Sequence, residues 1–194
     1  MGTSKKSLLT KFLIWRIKHI SQKQFVLLLS MVVGLLSGLG AVLIKNLTYL
    51  IQNLLEGRLI SNYHSAFYFV FPLLGVLLTA LFMRYLLRHT VSHGIPSTLY
   101  AISKKKGVMR RFQMFGSLIA APITVGFGGS VGLEGPTVAT GAALSSNLAR
   151  LLHLNQATRT LLIGCAAAGA MSSIFKAPIA AIIFAVEVFS LDLT

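Results

Sequence analysis

The sequence predicts an all-α membrane protein whose transmembrane helices are tilted and, in places, broken. Its 194 residues are 55% hydrophobic and only 11% charged, whereas a typical soluble domain has about 25% charged residues. Residues 25–44 and 65–83 contain no charged residue, and each stretch is long enough to cross a bilayer as a helix. Beyond residue 90, glycine and proline interrupt the apolar sequence, which indicates short or broken membrane helices.

The net charge of +14 arises from 18 lysines and arginines against four acids. These basic residues flank apolar stretches instead of covering one face of a soluble fold. They therefore indicate cytoplasmic anchors next to anionic lipid, and nucleic acid is excluded as a partner. Residues 1–24 are predicted to be a basic cytoplasmic or interfacial segment, with a helix over residues 8–20. A cleaved signal peptide is not predicted, because the apolar stretch is too long and no A-x-A site is present.

The first helix is expected to run from residue 25 to residue 55, which is longer than a bilayer requires and predicts a tilt. Small residues that permit close helix contact lie along it: Gly34, Ser37, Gly38 and Gly40. The second span, residues 65–83, is followed by Arg84 and Arg88, which places its end on the cytoplasmic side. The sequence thus predicts two full spans, followed by several short or broken membrane helices, of which residues 112–125 can also span the bilayer.

The helices after residue 90 are predicted to be short. Residues 97–103 are too few to span a bilayer, and residues 112–125 form a helix kinked by Pro122. Residues 126–132 contain four glycines and are expected to be non-helical. Helical sequence resumes at Pro136 and continues to about residue 152. Two more helices are predicted over residues 161–173 and 177–189, the latter opened by Pro178.

Two helix starts have the composition of an anion site. In residues 129–137, glycines allow the backbone to approach a ligand closely, and Pro136 presets the first helical turn. The first N–H groups of a helix have no backbone partner, and the helix dipole adds partial positive charge there. Such a group of N–H donors can replace the hydration shell of an anion without a lysine or arginine. Residues 92–96 show the same order of a polar residue, Gly94 and Pro96, and the tertiary structure decides whether the two starts meet.

Glu134 is the only acid between Glu56 and Glu187, and it stands two residues before Pro136. An ionisable residue inside a membrane segment is a functional candidate by default. Its carboxylate either competes with the anion as a movable gate and proton acceptor, or caps the start of the helix. The local sequence leaves both interpretations open.

Three ordered motifs resemble those of the chloride channel/transporter (CLC) family. Residues 132–138, GLEGPTV, resemble the family signature G-R-E-G-P-T-V, and residues 92–96, SHGIP, resemble G-S-G-I-P. Residues 175–187 resemble F-N-A-P-L-A followed by F-x-x-E. The resemblance implies that residues 25–194 form the first of two inverted transmembrane repeats, with the second absent. It implies that Glu134 is the external gating glutamate and that the anion path is lined by residues of the two helix starts: His93, Gly94, Ile95, Pro96, Gly132, Leu133, Gly135 and Pro136.

Several residues depart from the family pattern. His93 replaces the usual pore serine, and it either donates to the anion or packs at the cytoplasmic mouth. Leu133 replaces an arginine. This replacement removes a structural or electrostatic contact but leaves the gating glutamate in place. Glu187 matches the first glutamate of the last motif as a possible internal-side acid, but Val188 stands where antiporters of the family commonly have a second glutamate. Lys176 replaces an asparagine and either snorkels or pairs with Glu187.

The resemblance therefore implies chloride (anion) transport gated by voltage or pH through Glu134, and Val188 favours passive, channel-like conduction. The alternatives are a Cl⁻/H⁺ antiporter of the same family and an incomplete fragment that does not conduct. The expected partners are chloride or a similar anion, the lipid bilayer and, in the complete protein, a second copy in a homodimer. The expected location is the plasma (inner) membrane, crossed several times, with a cytoplasmic N-terminus. No enzymatic motif, metal-ligand spacing or cofactor loop is present in the sequence, so neither catalysis nor a cofactor is predicted.

Overall fold

The computed structural model describes residues 21–55, 67–87 and 94–189. Within these ranges every regular element is helical, which confirms the predicted all-α class. We number the helices α1 (Gln22–Leu55), α2 (Phe67–Leu81), α3 (Gly94–Lys105), α4 (Phe112–Gly126), α5 (Glu134–Leu151), α6 (Gln156–Phe175) and α7 (Pro178–Phe189). A π-helical segment, Phe82–Leu87, follows α2 directly. The predicted helix over residues 8–20, Arg88 and His93 lie outside the described residues.

Helices α1 and α6 are long and apolar enough to cross a membrane. With its 34 residues, α1 is about 51 Å long at the rise of an α-helix, whereas a bilayer core is about 30 Å thick. Much of its surface is apolar and uncovered, with Leu27, Leu35 and Leu39 each at least 60% exposed. Helix α7 is similar, with Ile179 74% exposed. Such extended apolar surface is typical of helices that contact lipid or another protein segment.

Small residues bring α1 and α6 into close contact. A side chain at Gly169 of α6 would collide with the backbone of Gly34 on α1. One turn further along α1, the Ser37 hydroxyl donates to the Ala166 carbonyl oxygen at 2.5 Å. The predicted small-residue face is therefore confirmed at Gly34 and Ser37 but is wrong at Gly40, where an added Cβ atom would meet nothing within 4 Å. At about 100° per residue, Gly40 turns away from the face that Gly34 and Ser37 share.

Helix α6 begins earlier than the sequence predicts. The side-chain oxygen of Asn155 accepts a hydrogen bond at 2.9 Å from the backbone N–H of Thr158, and this cap starts the helix at Gln156 instead of residue 161. The resulting 20 residues are long enough to span a membrane. Arg159 lies in the first turns, where its guanidinium donates to the Lys106 carbonyl oxygen at 3.0 Å. The predicted short helix over residues 161–173 is therefore wrong in length for α6.

Helix α5 is the most enclosed element of the described fold. Ten of its 18 residues are buried, and it packs against α1, α3, α4 and α6. One apolar core joins α3, α5, α6 and α7, and a second joins α1, α5 and α6. Small side chains allow this close packing, since Ala142, Ala143 and Ser145 are completely buried. The surrounding helices thus fix the position of the start of α5, where Glu134 lies.

Candidate anion site at two helix starts

The backbones at the starts of α3 and α5 touch each other. A Cβ atom built on Gly94 would lie 3.3 Å from the Cα of Gly135, and a Cβ built on Gly135 would lie equally close to the Cα of Gly94. Gly94 also has a φ of +71°, which residues with a side chain rarely adopt. Glycine is therefore needed at position 94 for its conformation, and both glycines permit the close approach of the two chains.

The two helix starts are built alike. Helix α3 begins Gly94-Ile95-Pro96 and α5 begins Glu134-Gly135-Pro136, so each has a proline at its third position. Proline has no N–H and its fixed φ suits the first turn, where a backbone donor has no intrahelical partner. No side chain caps the start of α5. The first N–H groups of a helix have no intrahelical partner, and the contact between Gly94 and Gly135 brings the two helix starts that carry such groups next to each other.

A hydroxyl group locks the first turn of each helix. Ser97 Oγ donates to the Gly94 carbonyl oxygen at 2.9 Å, and Thr137 Oγ1 donates to the Glu134 carbonyl oxygen at the same distance. Thr98 adds a longer bond to the carbonyl of Gly94, 3.3 Å. These hydrogen bonds are not predicted from the sequence. The available signal is a serine or threonine three residues after the start of each helix, a known pattern of side-chain to backbone bonding.

The segment between α4 and α5 is non-helical, as the sequence predicts. Helix α4 ends at Gly126, and the N–H groups of the next residues fold back on its last turn, with Gly129 donating to the Thr124 carbonyl oxygen at 2.9 Å. Gly128 has a φ of +88° and faces the ring of Pro72 on α2. The glycines thus allow a tight reversal close to neighbouring helices. Helix α5 then begins at Glu134, two residues before the predicted Pro136.

The Glu134 side chain folds back towards the segment that precedes α5. A Cβ built on Gly132 would overlap Oε2 of Glu134 and would lie 3.1 Å from its Cδ. In the part of the chain that the structure describes, the carboxylate accepts no hydrogen bond. It therefore does not cap α5 by hydrogen bonding to the N–H groups of the first turn, although its charge still favours that end of the helix dipole. The side chain is half-buried beside exposed Gly132.

The other predicted site residues differ in their surroundings. Leu133, Gly135, Pro136 and Ile95 are half-buried at the two helix starts, and Pro96 is exposed. Val188 packs against the core that joins α3, α5, α6 and α7. Glu187 is exposed on α7, which packs against α6.

Lys176 ends α6 with a left-handed backbone, φ +54°. It is exposed, and the described residues include no ion pair between Lys176 and Glu187. Asparagine is one of the few residues that tolerate this conformation, so the structure gives a reason for the asparagine of the family motif. No group of three or more metal-ligating side chains occurs in residues 21–55, 67–87 and 94–189.

A family profile described as "Voltage gated chloride channel" matches residues 74–194, more than half of the chain. The chain belongs to the CLC family. Among proteins of this family, chloride channel protein CLC-e of Arabidopsis thaliana is 28% identical over 168 residues, which cover 80% of this chain and 23% of CLC-e. The H(+)/Cl(-) exchange transporter ClcA of Salmonella arizonae is 31% identical over 169 residues, 84% of this chain and 36% of ClcA.

The chain thus spans between about a quarter and about a third of the length of these curated CLC relatives. No solved structure matches it. Its CLC membership agrees with the two helices that are long and apolar enough to cross a membrane.

Proposed function

We propose that this chain forms one half of a chloride pathway across a membrane, with the anion held where α3 and α5 start and with Glu134 as its gate. The observation that carries the proposal is the backbone contact between Gly94 and Gly135, which brings two helix starts to one point. Each start contributes roughly half a unit of positive charge together with free N–H donors. Two such starts stabilise a dehydrated anion without the strong trapping that a full cationic side chain would produce.

The Glu134 carboxylate provides a gate because it carries the same charge as the transported ion. It lies over the backbone of Gly132, in the segment that leads into the start of α5. A charged carboxylate there repels the anion and competes for the same N–H groups. A protonated carboxyl group loses this charge and leaves the site more easily, so acidification is expected to increase conduction.

Passive conduction is the form of transport that we propose. A coupled exchanger needs a second proton-carrying group towards the other side of the membrane, and position 188 has a valine that packs into the apolar core. Exchange of chloride for protons is the second candidate, favoured by the 31% identity to ClcA, which is named as an H(+)/Cl(-) exchange transporter. In that case exposed Glu187 is the available acid on α7.

The pathway as a whole requires more than these residues. We propose that residues 25–194 are the first of two repeats, that residues 1–24 form a basic segment on the cytoplasmic side, and that the complete protein is a multi-pass homodimer of the plasma (inner) membrane. The starts of α3 and α5 would be completed by the corresponding helices of a second repeat. Irregular backbone at membrane depth needs protein or water to satisfy its hydrogen-bonding groups. An incomplete chain is then expected not to conduct.

The test is chloride efflux from liposomes that contain the complete protein, with protons followed in the same vesicles. Glu134→Gln should raise chloride flux at neutral pH and abolish its activation by acid, because the charge that competes with the anion is gone. Glu187→Gln separates the two candidates: it should leave both properties unchanged under passive conduction and should slow proton movement under exchange. Flux and acid response equal to the unsubstituted protein in Glu134→Gln would refute the gate, and proton movement in a fixed ratio to chloride would refute passive conduction.

A further inference from the structure

A basic cleft lies at the end of α5 that is opposite to Glu134. It has a volume of about 270 Å³ and is lined by Arg111 at the start of α4, by Asn147, Arg150 and Leu151 at the end of α5, and by His153, which follows α5. Helix α5 has 18 residues, so about 27 Å separates this end from Glu134 at the rise of an α-helix. The cleft is thus separate from the proposed anion site.

The surrounding backbone holds the cleft in place. The Met109 N–H donates to Ser146 Oγ at 2.9 Å, and Ser146 Oγ donates to the Gly107 carbonyl oxygen at 2.6 Å. These buried bonds fasten the turn between α3 and α4 to the last turns of α5. His153 follows α5 with a left-handed backbone, φ +53°, and its N–H donates to the Arg150 carbonyl oxygen at 3.1 Å.

The positive charge of this region has no compensating acid in the described part of the chain. Neither Glu134 nor Glu187 lines the cleft. Seven cationic residues belong to the turn and helix ends that meet here: Lys104, Lys105, Lys106, Arg110, Arg111, Arg150 and Arg159. Arg111 lies at the start of α4, where the helix dipole is unfavourable for a cation. An anion bound here would be stabilised both by this dipole and by the charge of Arg111.

An apolar groove adjoins the cleft. It has a volume of about 470 Å³ and shares Arg111, Asn147 and Leu151 with the cleft. Its other lining side chains are apolar and come from three helices: Leu36, Met114, Phe115, Leu144 and Leu148. Phe115 is 59% exposed, so the groove is open on its outer side. A charged opening that continues into an apolar channel matches the two parts of one kind of molecule, a phospholipid.

We propose that this cleft and groove bind an anionic phospholipid, with its phosphate at Arg111 and Arg150 and an acyl chain along Leu151 into the groove. Arginine suits the phosphate because its planar guanidinium presents several N–H donors to the phosphate oxygens. The apolar groove distinguishes a lipid from free phosphate, since burial of an acyl chain adds a hydrophobic stabilisation that free phosphate lacks. The proposal does not depend on the chloride pathway, because it requires neither Glu134 nor conduction.

The test is native mass spectrometry of the complete protein in mild detergent, titrated with phosphatidylglycerol or phosphatidylcholine of identical acyl chains. Detergent removes the general attraction of a basic surface to an anionic bilayer. We expect preferential retention of phosphatidylglycerol and a decrease of roughly fivefold with Arg111→Gln or with Arg150→Gln, the equivalent of about 1 kcal/mol for each basic residue. The matched control is Arg110→Gln, since this exposed neighbour does not line the cleft.

The apolar part of the site has its own test. Leu151→Gln keeps both arginines and should weaken retention of phosphatidylglycerol, whereas competing millimolar inorganic phosphate should not displace the lipid. A photoactivatable phosphatidylglycerol should label α4 and the end of α5 in the unsubstituted protein, a measurement that needs no variant to fold. Equal retention of both lipids, an equal loss with Arg110→Gln, displacement by phosphate, or labelling elsewhere would each overturn the proposal.

Discussion

Replacement of Gly132 by alanine tests where the Glu134 carboxylate lies. The added Cβ would overlap Oε2 and lie 3.1 Å from Cδ, closer than the 3.4 Å at which ordinary contacts begin. Gly132 does not have a positive φ, so an alanine at this position introduces no strain in the backbone. The carboxylate is the flexible end of a side chain, and it is the group that must move.

The expected magnitude follows from the displaced side chain. A side chain forced about 30° from its preferred rotamer loses about 0.5–1.5 kcal/mol, which changes the population of the displaced carboxylate by about twofold to tenfold. If the carboxylate blocks the anion, Gly132→Ala should raise chloride flux at neutral pH by a factor in that range. The increase should not exceed that of Glu134→Gln, which removes the charge entirely.

The assay compares chloride efflux from liposomes for the complete protein, for each single substitution and for both together, with Glu134→Ala as the second background. The effects should not add, because alanine at position 132 has no carboxylate to displace once Glu134 is truncated. A decrease in flux that is equal in both backgrounds would show that the new methyl group obstructs the path directly. That result would refute the inferred position of the carboxylate over Gly132.

Three further predictions concern stability and are measured by thermal unfolding in detergent. Gly169→Ala should destabilise the protein strongly because its Cβ would collide with the backbone of Gly34, whereas Gly40→Ala, with open space around it, should be neutral or slightly stabilising; equal effects would contradict the proposed packing of α1 on α6. Lys176→Asn should stabilise by about 0.5–1 kcal/mol because asparagine tolerates the left-handed backbone at the end of α6, and no gain would argue against that conformation. Asn155→Ala should cost about 1 kcal/mol through the lost helix cap, while an unchanged midpoint would mean that this cap does not determine the start of α6.

The sequence predicts the elements of the site better than the lengths of the helices. Glycine and proline report local backbone requirements, so the break before α5 and the start of α7 at Pro178 could be predicted from composition alone. The sequence predicts a start for α6 that is too late, because the charged Arg159 stands directly before the uncharged apolar stretch. In the structure its guanidinium binds the Lys106 carbonyl oxygen, a contact between residues 53 positions apart that no local pattern contains.

The same distinction applies to the candidate site. The sequence indicated two helix starts with similar composition and an isolated acid beside one of them, because N–H donors, dipole and ionisable group are properties of each short segment. The position of His93 stays a prediction, since that residue lies outside the described ranges. The sequence does not predict the basic cleft as a site, because its lining combines Arg111 at the start of α4 with residues at the end of α5 that lie about 40 positions further along the chain.

By itself, the sequence determined the all-α membrane character, the interruptions of the helices and the chemical character of each interruption. These follow from composition, from helix-breaking residues and from the unsatisfied N–H groups that every helix start carries. Only the tertiary structure decided that Gly94 and Gly135 touch and that the Glu134 carboxylate turns back over Gly132. The reason is physical: both contacts depend on how α3 and α5 are held by the packing of small residues from several helices, and such packing is a relation between distant parts of the chain.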